Sequence, residues 1–473
     1  MTPLILLLIG IVVVLGSILV IRLHAVLALL FGAFVVALLT PSSFLQRYAL
    51  SNKFSESQLN ALINQSAGER VAIGFGDTCA KIGLLIVLAS IIGKCMMDSG
   101  AAERIVRTML RISGEKKAPV AFTVSSFTLG IPIFFDTVFL LMVPLARVMG
   151  VRHPRSYALY VMAIIAGATI THSLVPPTPG PLFAARALNV SIGAMIIMGT
   201  VIGLACSTAG LLYAYWLNKR QNIPLRTTAD ISVEKLKEWS NKETKQLPSF
   251  FMSVLPILLP IILIAGQAIA KVMKDDLPGS INAFFKLTGD PTIALFIATI
   301  ISLILVTQHH SNWLKEIQKS VEEAIYSAGT IILITASGGA FGAMLQQTSI
   351  GSWLAENIGQ YKLAILPLAF FITAIIRTAQ GSATVAMISA VGMLTAFNTP
   401  GALNFHPVYL AIVIGCGSKL FQWMNDSGFW VICKMSGFSE KETIRNSSFQ
   451  MMIMGFVGLI VTMLLAKFIP FPL

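Results

Sequence analysis

The stretch RTAQGSATVAM, Arg377 to Met387, lies between the apolar runs KLAILPLAFFITAII and ISAVGMLTAF. A single helix drawn through all three would place an arginine and a cluster of small polar residues inside a hydrophobic layer. In a bilayer an ionised side chain at that depth costs about 2.5–3.5 kcal/mol on insertion scales, so the residue is a functional candidate by default.

The bilayer follows from composition. Of 473 residues, 55% are hydrophobic and 12% charged, the mean hydropathy is +0.79, and apolar runs long enough to cross a membrane recur from end to end. These values describe an all-α polytopic membrane protein. A β-barrel would need short alternating segments, and a soluble core this apolar would leave no surface to face water. The opening MTPLILLLIGIVVVLGSILVIRLH has no basic n-region and no small-residue cleavage site, and reads as a retained first helix. The net charge of +13 points to basic residues held on the cytoplasmic face rather than to nucleic acid. Cys79, Cys95, Cys206, Cys416 and Cys433 form no CxxC pair and sit in or beside apolar runs, which argues against disulfides and metal ligation.

Hydropathy predicts about ten transmembrane helices, at about 3–21, 25–40, 74–97, 157–182, 192–216, 250–272, 291–306, 321–345, 407–432 and 447–469. Two further segments, about 118–147 and 363–395, are interrupted by Gly, Pro or polar residues and read as re-entrant hairpins with interrupted helices. Arg104, Arg107, Arg111, Lys116 and Lys117 precede the first hairpin, and Arg147, Arg152 and Arg155 follow it, so both its ends are expected in the cytoplasm. Residues 346–361 and 396–406 contain no Lys or Arg, so both ends of the second are expected outside. Threading the spans through these assignments puts the basic linker 217–249 in the cytoplasm and leaves Arg47, Lys53, Arg70, Arg186, Lys274 and Lys286 outside, with both termini external.

The linker divides the chain into an N-terminal transmembrane repeat, 1–216, and a C-terminal one, 250–473. Each half has three spans, a short amphipathic segment (AAERIVRTML, SIGSWLAENI), a hairpin and two more spans. A shift of 247 residues brings Ala89–Ser90 onto Ala336–Ser337 and Thr137–Val138 onto Thr384–Val385. The same shift superposes GIPIFFDTVF on RTAQGSATVA, and THSLVPPTPG on SKLFQWMNDS. Five spans per half is an odd number, so the second half runs upside down as an inverted repeat. Inverted repeats with interrupted helices meeting at the midplane characterise secondary transporters.

The chemistry concentrates at the interruptions. Gly130 and Pro132 stop the first hairpin helix, and Asp136 with Thr137 is expected to cap the next. In the second hairpin Gly381 interrupts and Ser382 or Thr384 caps. Free N–H groups and positive helix ends would then face the membrane centre, a site suited to an anion. The fourth span carries Ser173, Thr178 and four prolines, Pro176, Pro177, Pro179 and Pro181, and either breaks at depth or ends near Leu174 in an external loop. The ninth groups Ser418, Lys419, Gln422, Asn425, Asp426 and Ser427. Arg377 and Lys419 can attract an anionic substrate or pair with Asp136 and Asp426; Asp136, His172 and Asp426 are the proton-carrying candidates. Asp77 and Lys81 are expected to form an i,i+4 pair. His309 and His310 lie in a short loop with no carboxylate or cysteine set, so no metal site and no cofactor is expected.

Together GIPIFFDTVF, HSLVPPTPGP, TAQGSATVAM and GSKLFQWMNDSGFW resemble the gluconate:proton symporter (gluconate permease, GntP-type) family of the ion-transporter superfamily, over nearly the whole chain. The resemblance implies proton-coupled uptake of gluconate or a related sugar acid across a bacterial inner membrane, two hairpin tips clamping the substrate carboxylate, and a homodimer with elevator-like movement. The substrate-binding set it suggests is Gly130, Asp136, Thr137, Ser173, Thr178, Arg377, Gln380, Gly381, Ser382, Thr384 and Asn425. A small organic anion, protons and lipid are the partners implied. Another small carboxylate such as D-serine, and sodium coupling, are alternatives within the same fold. A membrane enzyme would need an HExxH, GxSxG or paired-aspartate constellation, and none is present. A passive channel leaves the inverted repeat unexplained.

Overall fold

The computed structural model describes residues 2–114, 117–221, 223, 225–226, 247–272, 278–307, 312–350, 353, 362–398, 403–424 and 426–471. Among them the chain is helical throughout, with no strand. The first half contains α1 (Pro3–Leu19), α2 (Ala25–Leu39), α3 (Ser42–Ser51), α4 (Glu56–Asn64), α5 (Ala67–Asp98), α6 (Ala101–Ser113), α7 (Ala118–Leu129), α8 (Phe135–Arg152), α9 (Tyr157–Leu174), α10 (Pro179–Ala187) and α11 (Ile192–Asn218). The second contains α12 (Phe250–Val272), α13 (Gly279–Thr288), α14 (Pro291–Thr307), α15 (Trp313–Gln347), α16 (Ile365–Gln380), α17 (Ala383–Leu394), α18 (Val408–Gly417), α19 (Ser427–Ser436), α20 (Glu440–Thr443) and α21 (Phe449–Phe468).

Each of the ten expected segments holds an apolar helix, but not all are continuous spans. Six described stretches are long and apolar enough to cross a bilayer, or eight if the bent pairs α2/α3 (100°) and α13/α14 (72°) each count once. The first segment holds only the 17-residue α1 and the ninth only the 10-residue α18 before it breaks. No span is predicted over 42–64, where the structure places α3 and α4. These are short amphipathic helices that a hydropathy window passes over, and α4 is fixed by a capping box between Ser55 and Gln58. A second capping box, Ser66 with Glu69, starts α5 earlier than hydropathy alone suggests. Linker residues 227–246 and most of the amphipathic segment SIGSWLAENI lie outside the described residues, as do His309 and His310.

The two halves repeat in register. Helix starts pair as Pro3 with Phe250, Ala67 with Trp313, Ala118 with Ile365, Phe135 with Ala383, Pro179 with Ser427 and Ile192 with Glu440, each pair 246–248 residues apart. The mates α5 and α15 pack along each other. Both are long, and a clamp joins one pair of their ends: Lys94 bridges Asp98 (3.0 Å) and Glu323 (2.7 Å), while Ser320 donates to Asp98 (2.5 Å).

α9 and α18 form the centre. Every residue of each is buried, as a helix apolar on all sides requires. Around α9 pack α7, α8 and α11; around α18 pack α16 and α21. Lipid supplies no hydrophobic drive between helices, so small residues and hydrogen bonds bring them together. A Cβ on Gly167 of α9 would meet Ser126 Oγ at 2.1 Å and Thr123 O at 2.3 Å on α7, and one on Gly130 would meet Thr171 Oγ1 at 2.4 Å. Thr123 Oγ1 is also within donating distance of Ala163 O (3.1 Å), and Gln450 of α21 donates to Met162 O (2.9 Å) and Gly210 O (3.0 Å). The backbone contact at Gly167 is therefore the tightest joint between hairpin and core.

Gly167→Ala is expected to cost about 1–3 kcal/mol, because the atoms it meets include backbone that cannot turn aside. Gly16→Ala, where nothing lies within 4 Å, is the neutral control. Thermal midpoints of both variants in detergent, read by size-exclusion recovery, check this; equal midpoints would contradict it.

Candidate functional site

Four interruptions in the helices, at 130–134, 175–178, 381–382 and 418–426, lie close together: Phe134, Gly381, Ser382, Lys419, Gln422 and Asp426 line one cavity, and Pro132, Phe134, Pro177 and Thr178 line a small void. The proline-rich one is a break at depth rather than a loop: α9 stops at Leu174, Val175 and Thr178 are buried with Pro177 half-buried between them, and α10 resumes at Pro179. Three of the resuming helices, α8, α17 and α19, start at the wall of one cavity of about 250 Å³. The first N–H groups of a helix have no acceptor within it, so each start presents donors and the positive end of a dipole.

The three starts are built differently. At α17, Gly381 adopts φ +71°, which favours glycine, and Ser382 Oγ then accepts from the Val385 amide at 3.4 Å. At α19, Asp426 Oδ1 accepts from the Gly428 amide at 2.7 Å. At α8 the expected caps are corrected: Phe134 is the cap residue, with no side-chain hydrogen bond, and Asp136 and Thr137 are already helical. Because Asp136 is not consumed by capping, its carboxylate lines the cavity instead.

Arg377, His172, Lys419 and Asp426 line it too, with Gly381, Ser382 and Thr384. Arg377 and Asp426 are each 5% exposed and form an ion pair through Nη2 and Oδ2. Arg377 Nε donates to Ser418 O at 3.1 Å, while its Nη1 is buried with no partner among the described residues. Of the two roles open to Arg377 in sequence, pairing and anion attraction, the geometry permits both at once. Lys419 and Asp136 make no salt bridge among the described residues. His172 Nε2 lies 3.3 Å from Thr384 Oγ1, its ring packs on Phe134 at 5.5 Å, and Nδ1 has no partner among the described residues.

Several expected site residues lie elsewhere. Gly130 packs against α9, as its contact with Thr171 shows. Thr137 and Gln380 are half-buried near the tips but do not line the cavity. Ser173 is buried behind it, 3.3 Å from Ser418 Oγ. Thr178 turns its hydroxyl to Val175 O (2.8 Å) and faces a small separate void. Asn425 lies outside the described residues. Asp77 and Lys81 do not form the expected pair; both line a different cavity.

Other lining residues are Thr169, Gln422 and Gly428, with Phe134, Ile331, Ile334, Ile388 and Met451 as the apolar wall. Gly428 is required by proximity: a Cβ there would meet Asp136 Oδ1 at 3.1 Å, Asp426 Oδ1 at 3.2 Å and Gln422 Nε2 at 3.3 Å. Gln422 carried a sequence signal, since it belongs to the polar group of SKLFQWMNDS. Thr169 and Gly428 carried none.

A polar cavity walled by helix starts, an arginine with a spare donor and a lysine with no salt bridge among the described residues, set in an apolar helical bundle, is the arrangement of a membrane transport protein. The chain belongs to the GntP permease family: the family model described as GntP family permease matches residues 59–469. A gluconate permease of Zymomonas mobilis is 31% identical over 395 residues, covering 82% of this chain and 85% of its own. The inner membrane permease YgbN of Escherichia coli is 30% identical over 413 residues, covering 84% and 87%. A Haemophilus influenzae protein described as an uncharacterized permease is 31% identical over 447 residues, covering 93% and 86%. The crystal structure of the Alcanivorax borkumensis YdaH transporter shares the fold, with a TM-score of 0.61 at 14% identity over 94% of this chain and 99% of that one. The protein is thus a multi-pass inner-membrane permease.

Asp426→Ala leaves a buried guanidinium uncompensated and removes the α19 cap. It is expected to cost about 3–5 kcal/mol. A midpoint unchanged from the native protein in detergent would show that the ion pair is not structural.

Proposed function

We propose that the protein takes up gluconate or a related sugar acid together with a proton, by alternating access between two inverted halves, 1–216 and 250–473. The observation that carries this reading is the cavity where the starts of α8, α17 and α19 converge on the buried Arg377, whose Nη1 has no partner among the described residues. A carboxylate satisfies that donor and the free helix amides together. The hydroxyls of a polyol acid then meet Thr384, Ser382 and Gln422, and its carbon chain meets Ile331, Ile334 and Met451. Relatives named gluconate permease support the substrate class, and one named L-idonate transporter, 28% identical over 392 residues, points to a closely similar polyol acid.

Charge balance supports the coupling. The cavity holds Arg377 and Lys419 against Asp136 and Asp426, so it is neutral when both carboxylates are ionised. A bound carboxylate adds one negative charge in a poorly screened place, which a proton taken up with it removes. Asp136 is the better carrier, because Asp426 is held by Arg377 and by its cap while Asp136 has no counter-ion among the described residues.

Proteoliposomes given an inward proton gradient should accumulate radiolabelled gluconate. The accumulation should collapse with a protonophore and be competed by idonate more than by D-serine or lactate. No accumulation by folded protein would overturn the substrate; accumulation that follows sodium instead would overturn the coupling. Asp136→Asn is expected to keep gluconate exchange and lose proton-driven accumulation, so unchanged accumulation would remove Asp136 from that role.

A further inference from the structure

A second cavity, about 370 Å³ and larger than the first, lies between α5, α10 and α15 on the face that the charge distribution places outside. Its charged wall is cationic: Arg70, Lys81 and Arg186 against the single carboxylate of Asp77. None of these pairs with another among the described residues, although Asp77 and Lys81 are one helical turn apart. Arg70 is 6% exposed and donates only to neutral acceptors, Gln347 Oε1 at 3.0 Å and Ala37 O at 2.7 Å. Its Nε and that of Arg186 are buried with no partner among the described residues. Cations gathered without counter-ions in a concave, partly desolvated wall raise the local concentration of anions.

The two cavities are separate. Thr384 borders the first and Thr395 the second, and eleven residues of helix rise put them about 16 Å apart along α17. Between them α15 and α17 close backbone to backbone. A Cβ on Gly392 would meet Gly338 O at 2.7 Å, one on Gly338 would meet Ile388 Cγ2 at 2.7 Å, and one on Gly342 would meet Thr395 Oγ1 at 2.8 Å.

We propose that this external cavity is a second binding site for small organic anions, holding a carboxylate against Arg186 and Lys81 before it reaches the inner cavity. Thr78, Gln346 and Asn189 on the same wall suit the hydroxyls of a polyol acid. The choice of ligand rests on the transport reading above; the site itself rests on the unpaired cations.

The test is equilibrium binding of radiolabelled gluconate to the purified full chain, with inorganic phosphate and choline as further probes. The native chain should bind two gluconates and no choline, and Arg377→Gln should keep one. Adding Lys81→Gln and Arg186→Gln to Arg377→Gln should leave none. These two side chains make no hydrogen bond among the described residues, so their variants should elute as folded protein. In proteoliposomes Lys81→Gln with Arg186→Gln should raise the external KM about tenfold with little change in kcat, the loss expected for removing charged hydrogen-bond donors. One gluconate per native chain, or unchanged stoichiometry and KM in the double variant, overturns the site. Phosphate binding without gluconate binding overturns the organic-anion assignment in favour of a free or headgroup phosphate. A native chain that binds two gluconates but does not accumulate them counts against the transport reading alone.

Discussion

In hydrocarbon a backbone N–H or C=O has no water to bond, so a broken helix survives only where protein surrounds it. Among the described residues four helix breaks lie beside or at the ends of α9 and α18, which are buried along their whole length, while the last break also leaves Phe421, Trp423 and Met424 exposed. The complete burial of α9 and α18 gives the breaks protein to pack against. Ser418 shows how closely the breaks are tied: its carbonyl accepts from Arg377 Nε, its hydroxyl donates to Gly415 O at 2.7 Å, and the same hydroxyl lies 3.3 Å from Ser173 Oγ. A segment from each half is thus held through one residue. The donors left over at α8, α17 and α19 are the ones that face the cavity, so the burden of the fold and the chemistry of the site have a single origin.

Close approach of helices is the second device, and it follows from the first. Broken helices lack the long ridges that pack at ordinary distances, and lipid adds no hydrophobic drive between helices. Glycines bring the backbones together instead, at Gly167 between α7 and α9 and at Gly338 and Gly392 between α15 and α17. The first joint anchors a hairpin to the core. The second lies between the two polar cavities. A seal made of small residues has few side chains to move aside, so little rearrangement is needed to shift it. That property suits the alternating access proposed above.

Much of this was legible in the sequence because the signals were local. Apolar runs, the Gly–Ser pair at 381–382 and the prolines at 176–181 report on their own neighbourhoods. A constant shift of 247 aligns four motifs in the sequence, and six helix starts recur at nearly the same interval. What the sequence did not reveal depends on partners distant along the chain. Asp136 has the composition of a cap and the position of a cavity residue, a difference of two residues in where α8 begins. Asp77 and Lys81 have the spacing of an ion pair, but α10 and α15 supply the other walls of a cavity into whose lining both fall. Arg377 and Asp426 stand 49 residues apart, and nothing local chose between Asp136 and Asp426 as the arginine's partner. Gly428 matters only because Asp136, Asp426 and Gln422 converge on it.

The two cavities differ in charge, and that difference bears on direction. The outer wall has three cations to one carboxylate, whereas the inner has two of each. On the proposed reading, an anion arriving from outside first meets uncompensated positive charge, which favours capture. At the inner site it meets a pair already satisfied, Arg377 with Asp426, and must use the spare Nη1 and the helix ends. Binding there is electrically neutral only if a titratable group of the cavity, Asp136 on this reading, accepts a proton at the same time. A strongly cationic inner site would hold its anion without a proton and release it slowly. A balanced one binds weakly unless both ligands are present, and balance is therefore the physical basis of the proton coupling proposed here.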